Sequence, residues 1–178
     1  SLGDDILGLS SLFQDVLTIL SFSELGFQSV LMVTLYKPIE DNDVEKIHSL
    51  LELSRKVYRY VILAITVFGI ALIPLFFFVK TGVDYKTLVF YYSLYLINNV
   101  CSYFYAYKET YLQALQKQYK LFYINFAMSV LSIVVRTLVL QVTLNYTVYL
   151  VLNIVFTVTQ KYLYIRKIDR LCPEVQYD

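Results

Sequence analysis

Between Leu121 and Tyr164 the chain runs for forty-four residues with two charges, Arg136 and Lys161. No other feature restricts the fold as strongly. At a rise of about 1.5 Å per residue, one helix of that length would extend about 66 Å, or two thicknesses of a bilayer hydrocarbon core. The polar run Thr143-Leu144-Asn145-Tyr146-Thr147 predicts a turn near its middle, and hence two crossings, 121–144 and 146–164. Three more apolar blocks, 6–36, 57–79 and 87–107, have the length of a crossing. The expectation is an all-α membrane protein with five transmembrane helices. Composition agrees, with 58% hydrophobic and 16% charged residues, against about a half and a quarter in soluble domains. The core of a soluble protein could hold one or two such blocks, but five with alternating charge bias between them point to a bilayer.

Charge placement supplies an orientation. Outside the apolar blocks, alternate sides carry twelve Lys and Arg against two, the two being Lys80 and Lys86. The positive-inside rule makes loops 37–56 and 108–120 and the C-terminal tail cytoplasmic. The start of the chain then lies outside, so an odd number of helices is expected before it. Ser1 opens the chain without Met or a signal-peptide pattern, and the sequence reads as a fragment. The net charge of +1 gives no reason to expect a nucleic-acid partner. Two cysteines, Cys101 and Cys172, make no disulfide framework.

Segment 40–56 breaks the apolar pattern. Asn42 and Glu45 have the spacing of a capping box, and Val44, Ile47 and Leu51 share a helical face. The expectation is a short amphipathic helix on the cytoplasmic surface. Its His48 reads as a solvated or interfacial side chain rather than a proton relay.

A helix surrounded by lipid has no use for amides and hydroxyls, yet four of the blocks carry them at helical spacing. Gln118, Asn125, Ser129, Ser132, Arg136 and Thr143 form one stripe. Tyr91, Tyr95, Asn98, Ser102, Tyr105 and Glu109 form a second, and Tyr149, Asn153, Thr157, Gln160 and Tyr164 a third. The first block has a broader polar half with Ser10, Gln14, Asp15, Ser21, Glu24 and Gln28. Block 57–79 is almost wholly apolar, with Gly69 and Pro74 as expected bend points. Such stripes can serve as helix–helix glue. Four of them in one small bundle favour a shared hydrated cavity.

Arg136 lies on the first of these stripes, about 12 Å inside the outer end of its helix on the helical rise. Left unpaired at that depth it costs about 2.5–3.5 kcal/mol on insertion scales. Asp15 is expected at similar depth. Three readings are open: an Arg136–Asp15 clamp, an anion site within the bundle, and a side chain that snorkels outward. No metal-ligand spacing, nucleophile motif or phosphate-cradling glycine loop occurs, so neither an enzyme nor a metal or cofactor is expected.

The residues Leu2-Gly3, Leu7-Gly8-Leu9, Glu24-Leu25-Gly26 and Leu35-Tyr36-Lys37-Pro38 resemble the second transmembrane helix and following loop of bacterial polysaccharide repeat-unit flippases. These are the O-antigen and capsule exporters of the multidrug/oligosaccharidyl-lipid/polysaccharide superfamily. The resemblance implies helices two to six of the N-terminal bundle of a 12–14-helix exporter in the bacterial inner membrane. It implies movement of undecaprenyl-pyrophosphate-linked oligosaccharides by alternating access through a cationic cavity. Arg136 suits that cavity, because guanidinium binds pyrophosphate oxygens bidentately. Tyr95, Asn98, Asn125 and Asn153 are the expected substrate-binding neighbours, and Asp15 and Glu24 the candidates for a coupling proton or sodium ion. The alternatives are a drug/cation antiporter of the same fold and the non-catalytic membrane part of a glycosyltransferase or acyltransferase.

Overall fold

The breaks in the apolar pattern become helix ends in the computed structural model, which describes residues 2–78, 83–104 and 106–172. The side chains of residues 2–7, 20–25, 75, 77 and 78 lie outside the described set. Every regular element among the described residues is helical. They are α1 (Leu2–Glu40), α2 (Val44–Ala71), a 3-10 turn (Ile73–Phe78), α3 (Tyr85–Tyr103), α4 (Ala106–Ala114), α5 (Tyr119–Thr143) and α6 (Tyr146–Leu171).

α1 overruns its apolar block 6–36 at both ends. Pro38 lies in its last turn, where it removes the hydrogen bond to the carbonyl four residues back just before the helix ends. The segment 40–56 is corrected. It is not a separate surface helix but the first half of α2, which continues without a break into the apolar half. The cap is also different. Asn42 takes a left-handed conformation with φ 53°, and Asp43 caps the helix by accepting from the Lys46 N–H at 3.1 Å. That backbone hydrogen bond, with the Lys46 ammonium beside it, holds the Asp43 carboxyl below the usual carboxylate range. The cap is therefore complete at neutral pH and is lost as pH falls through that lowered value. Ile47 and Leu51 do bury their side chains, as the spacing predicted, whereas Val44 is exposed.

Block 57–79 is corrected too: the α-helix stops at Ala71 and tightens into the 3-10 turn. Pro74 explains this, since it has no N–H to donate and disfavours the helical conformation at Ile73. The block 87–107 is likewise not one helix. It breaks at Phe104, whose extended ψ of 124° separates α3 from α4. The predicted turn of the long apolar stretch is where expected. Leu144 is left-handed with φ 51°, and Asn145 caps α6 by accepting from the Thr147 N–H at 3.0 Å.

Successive long helices run antiparallel. Phe27 meets Tyr58 edge-on across α1 and α2, the Tyr92 hydroxyl donates to the Gly69 carbonyl across α2 and α3, and Asn125 meets Gln160 across α5 and α6. This up-and-down order collects twelve of the fifteen Lys and Arg at one end of the bundle. Tyr92 and Phe13 lie at the centre of an aromatic cluster with Phe76 and Tyr95, ring centroids 4.7–5.7 Å apart.

Gly69 lets α2 and α3 approach closely. A Cβ there would fall 2.6 Å from Leu96 Cδ1. Gly69→Ala should be tolerated, because the Leu96 methyl can turn aside and alanine recovers about 1 kcal/mol of helix propensity. Gly69→Leu should lose about 1–3 kcal/mol through overpacking. Thermal unfolding in detergent measures both, and equal melting temperatures for the two variants would show that the contact is loose.

Two of the helices, α5 and α6, are long and apolar enough to cross a membrane by length and composition. The expectation of five such helices is thus met only in part. α2 joins its apolar half to a segment carrying Arg55, Lys56 and Arg59, and α3 is rich in Tyr and Asn, which lower its mean hydropathy. α5 packs mainly on α6 and leaves Phe122, Phe126, Ile133, Leu138 and Val142 exposed.

Candidate functional site

The polar stripe of α6 forms a seam that meets the stripe of α5 on one side and that of α3 on the other. At its centre, Arg136 Nη1 donates to Asn153 Oδ1 at 2.5 Å, and Arg136 Nε donates to the Ser132 carbonyl one turn back on α5. The guanidinium lies over the Tyr149 ring at 5.2 Å. A guanidinium has five N–H donors, of which this arrangement uses two. No carboxylate among the described residues pairs with it. The expected Arg136–Asp15 pair is therefore not formed. Asp15 is exposed on α1, and the antiparallel register of α5 and α6 brings Asn153 to the arginine instead. Arg136 also lines an open groove of about 230 Å³, together with Ser129, Ser132, Asn153, Thr157 and Gln160 and apolar neighbours.

Asn153 also lines a second open groove, of about 220 Å³, on its other side. Gln14 and Thr18 of α1 and Tyr95, Asn98 and Asn99 of α3 complete it. Asn98 Oδ1 and Asn99 Oδ1 are buried there without a hydrogen-bond partner. A buried amide oxygen with no donor costs about 1–3 kcal/mol, so this groove has a standing demand for a donor such as water or a hydroxyl.

Tyr95 joins the same seam indirectly. Its hydroxyl is 2.8 Å from that of Tyr146, and Tyr146 stacks on Tyr149, whose ring carries Arg136. Asn125 lies further toward the cationic end, where its Oδ1 accepts from Gln160 Nε2 at 2.9 Å. There it borders a third groove of about 270 Å³ with Glu109, Gln113, Gln118 and Tyr164. Of the residues expected to bind substrate, Arg136, Asn153, Asn98 and Tyr95 gather around two adjoining grooves, and Asn125 lies about three turns from Arg136 along α5. The grooves are open clefts rather than one enclosed cavity. Of the coupling candidates, Asp15 is exposed away from Arg136, and the Glu24 side chain lies outside the described residues.

Sequence reasoning missed Tyr146, Asn99 and the ion pairs of α4. Lys108 Nζ meets Asp169 at 2.6 Å and Lys161 Nζ meets Glu109 at 2.5 Å, both between α4 and α6. From the sequence Lys108 reads as a loop charge and Glu109 as the end of the third block's polar stripe, whereas both lie on α4. Comparison of the chain with known protein families, with curated proteins and with solved structures finds no match.

Proposed function

We propose that this chain is part of a multi-pass bacterial inner-membrane transporter that moves an anionic lipid-linked oligosaccharide between leaflets by alternating access, with no catalysed reaction. One observation carries the reading: a deep arginine, held by an amide and a tyrosine ring and unpaired with any described carboxylate, faces an open polar groove. Such a cation is costly inside a membrane unless it faces water or an anion. Its free fork suits the paired oxygens of a pyrophosphate. The amides and tyrosines along the seam suit sugar hydroxyls. A drug antiporter for cations is the poorer fit, because the groove would repel its substrate. Five crossings, with the 3-10 turn completing the second and α3 forming the third, account for the clustering of cations at one end.

Translocation by the full-length protein in vesicles tests the reading. Lipid-linked oligosaccharide should change leaflets, and a cationic dye should not be expelled; dye efflux without glycan movement would overturn it. Orientation is tested separately by labelling single cysteines in whole cells. An impermeant reagent should label position 145 and leave positions 46 and 117 untouched, and the reverse pattern would invert the topology.

A further inference from the structure

We infer that the cationic end of the bundle carries a binding site for an anionic phospholipid, in the cleft between α2 and the α3–α4 break. The inference rests on the reading that the bundle crosses a membrane, and it does not depend on what is transported. The cleft measures about 200 Å³ and is lined by Arg55, Tyr58, Arg59, Ile62, Tyr103, Phe104 and Tyr107. Three features match a lipid rather than a soluble anion.

The first is charge. Arg55 and Arg59 are one turn apart on α2 and therefore share a face. Both are exposed, and neither is paired with a carboxylate among the described residues. Two guanidinium forks on one face can grip a phosphodiester bidentately. The second is depth. Arg59 is the last charge of α2 before the apolar run from Tyr60 onward, so the pair lies at the level expected for headgroups. Tyr60 is 73% exposed at this border, as an interfacial aromatic would be.

The third is the floor. Ile62 lies one turn beyond Arg59 on the same face, and Phe104 is half-exposed where the chain leaves α3. Beyond the two cations the lining of the cleft turns apolar at Ile62 and Phe104, where the start of an acyl chain can rest. A free phosphate would have no use for that part. Basic pockets between helices on the cytoplasmic side are the known chemistry of anionic headgroup binding.

The test uses the full-length protein in phosphatidylcholine nanodiscs with phosphatidylglycerol as the probe, and bound lipid is counted by native mass spectrometry. The protein should retain phosphatidylglycerol over phosphatidylcholine. Each of Arg55→Gln and Arg59→Gln should weaken retention about fivefold, from the contribution of one cation near a charged headgroup. Lys117→Gln and Lys120→Gln, each made singly, remove the same charge elsewhere on that end and should leave retention unchanged. Equal loss in those controls would reduce the effect to net charge and overturn the site. So would a wild-type protein indifferent to the two lipids, or release of the lipid by millimolar inorganic phosphate alone. Recovery of the protein in the soluble fraction would instead sink the membrane reading itself.

Discussion

In the full-length protein, Arg136→Ala should abolish export of lipid-linked repeat units while the protein still inserts at near-normal abundance. The variant removes a cation whose partners are neutral, the Asn153 amide and the Ser132 carbonyl. What it leaves behind is an amide oxygen on an open groove, where water can satisfy it, so the cost to folding is small. The cost to transport is large, because the groove then offers no positive charge to a pyrophosphate. Arg136→Lys should keep part of the activity: the charge survives, but the planar fork and its place over Tyr149 do not. Asn153→Ala should lower export several-fold by freeing the guanidinium to swing, with the protein still present. Export by Arg136→Ala at the wild-type rate would remove the arginine from the mechanism. Disappearance of both the Arg136→Ala and Asn153→Ala proteins from the membrane would make the pair a structural clamp.

The largest loss of stability is expected at Lys108. Its side chain is 8% exposed and its partner Asp169 is 28% exposed, so the pair is buried on one side and wet on the other. Breaking a fully buried pair costs about 3–5 kcal/mol because a charge is left without its partner. The wet edge of Asp169 reduces this to about 2–3 kcal/mol for Lys108→Ala. Lys108→Met combined with Asp169→Leu should recover part of that loss, because neither member of the pair is then left without the other. Thermal unfolding of the purified variants separates the cases. A double variant no better than Lys108→Ala would mean that the packing of the lysine stem, and not its charge, holds α4 to α6.

Much of the local structure was legible from residue types. Pro74 reads as a point where the second block departs from a straight helix, and the run around Asn145 turns the chain, for reasons that involve only neighbouring residues. The spacing of Asn125, Ser132 and Arg136 placed them on one face before any neighbour was known. The errors have local causes as well. Asn42 with Glu45 and Asp43 with Lys46 are both acceptable caps, and the choice went to the residue whose side chain reached a free N–H while Asn42 absorbed the left-handed turn. The amphipathic pattern of 40–56 was read correctly as a helical face, but periodicity alone does not say where one helix ends and the next begins.

Sequence by itself determined that the chain is helical among its described residues, where the two most apolar helices and the turn between them lie, and that its cations collect at one end. These depend on backbone propensity, on the length of apolar runs and on charge order along the chain. Only tertiary structure decided which partner each polar residue meets. Arg136 and Asp15 were matched by depth, but depth says nothing of rotation about the helix axis or of which helices are neighbours. The tight turn at Leu144–Asn145 locks α5 against α6 in antiparallel register, and that register carries Asn153 to the arginine. The break at Phe104 redirects α4 so that Lys108 and Glu109 reach α6 rather than water. Interhelical register and rotation arise from side-chain packing between segments distant in the chain, and no periodicity within one segment encodes them.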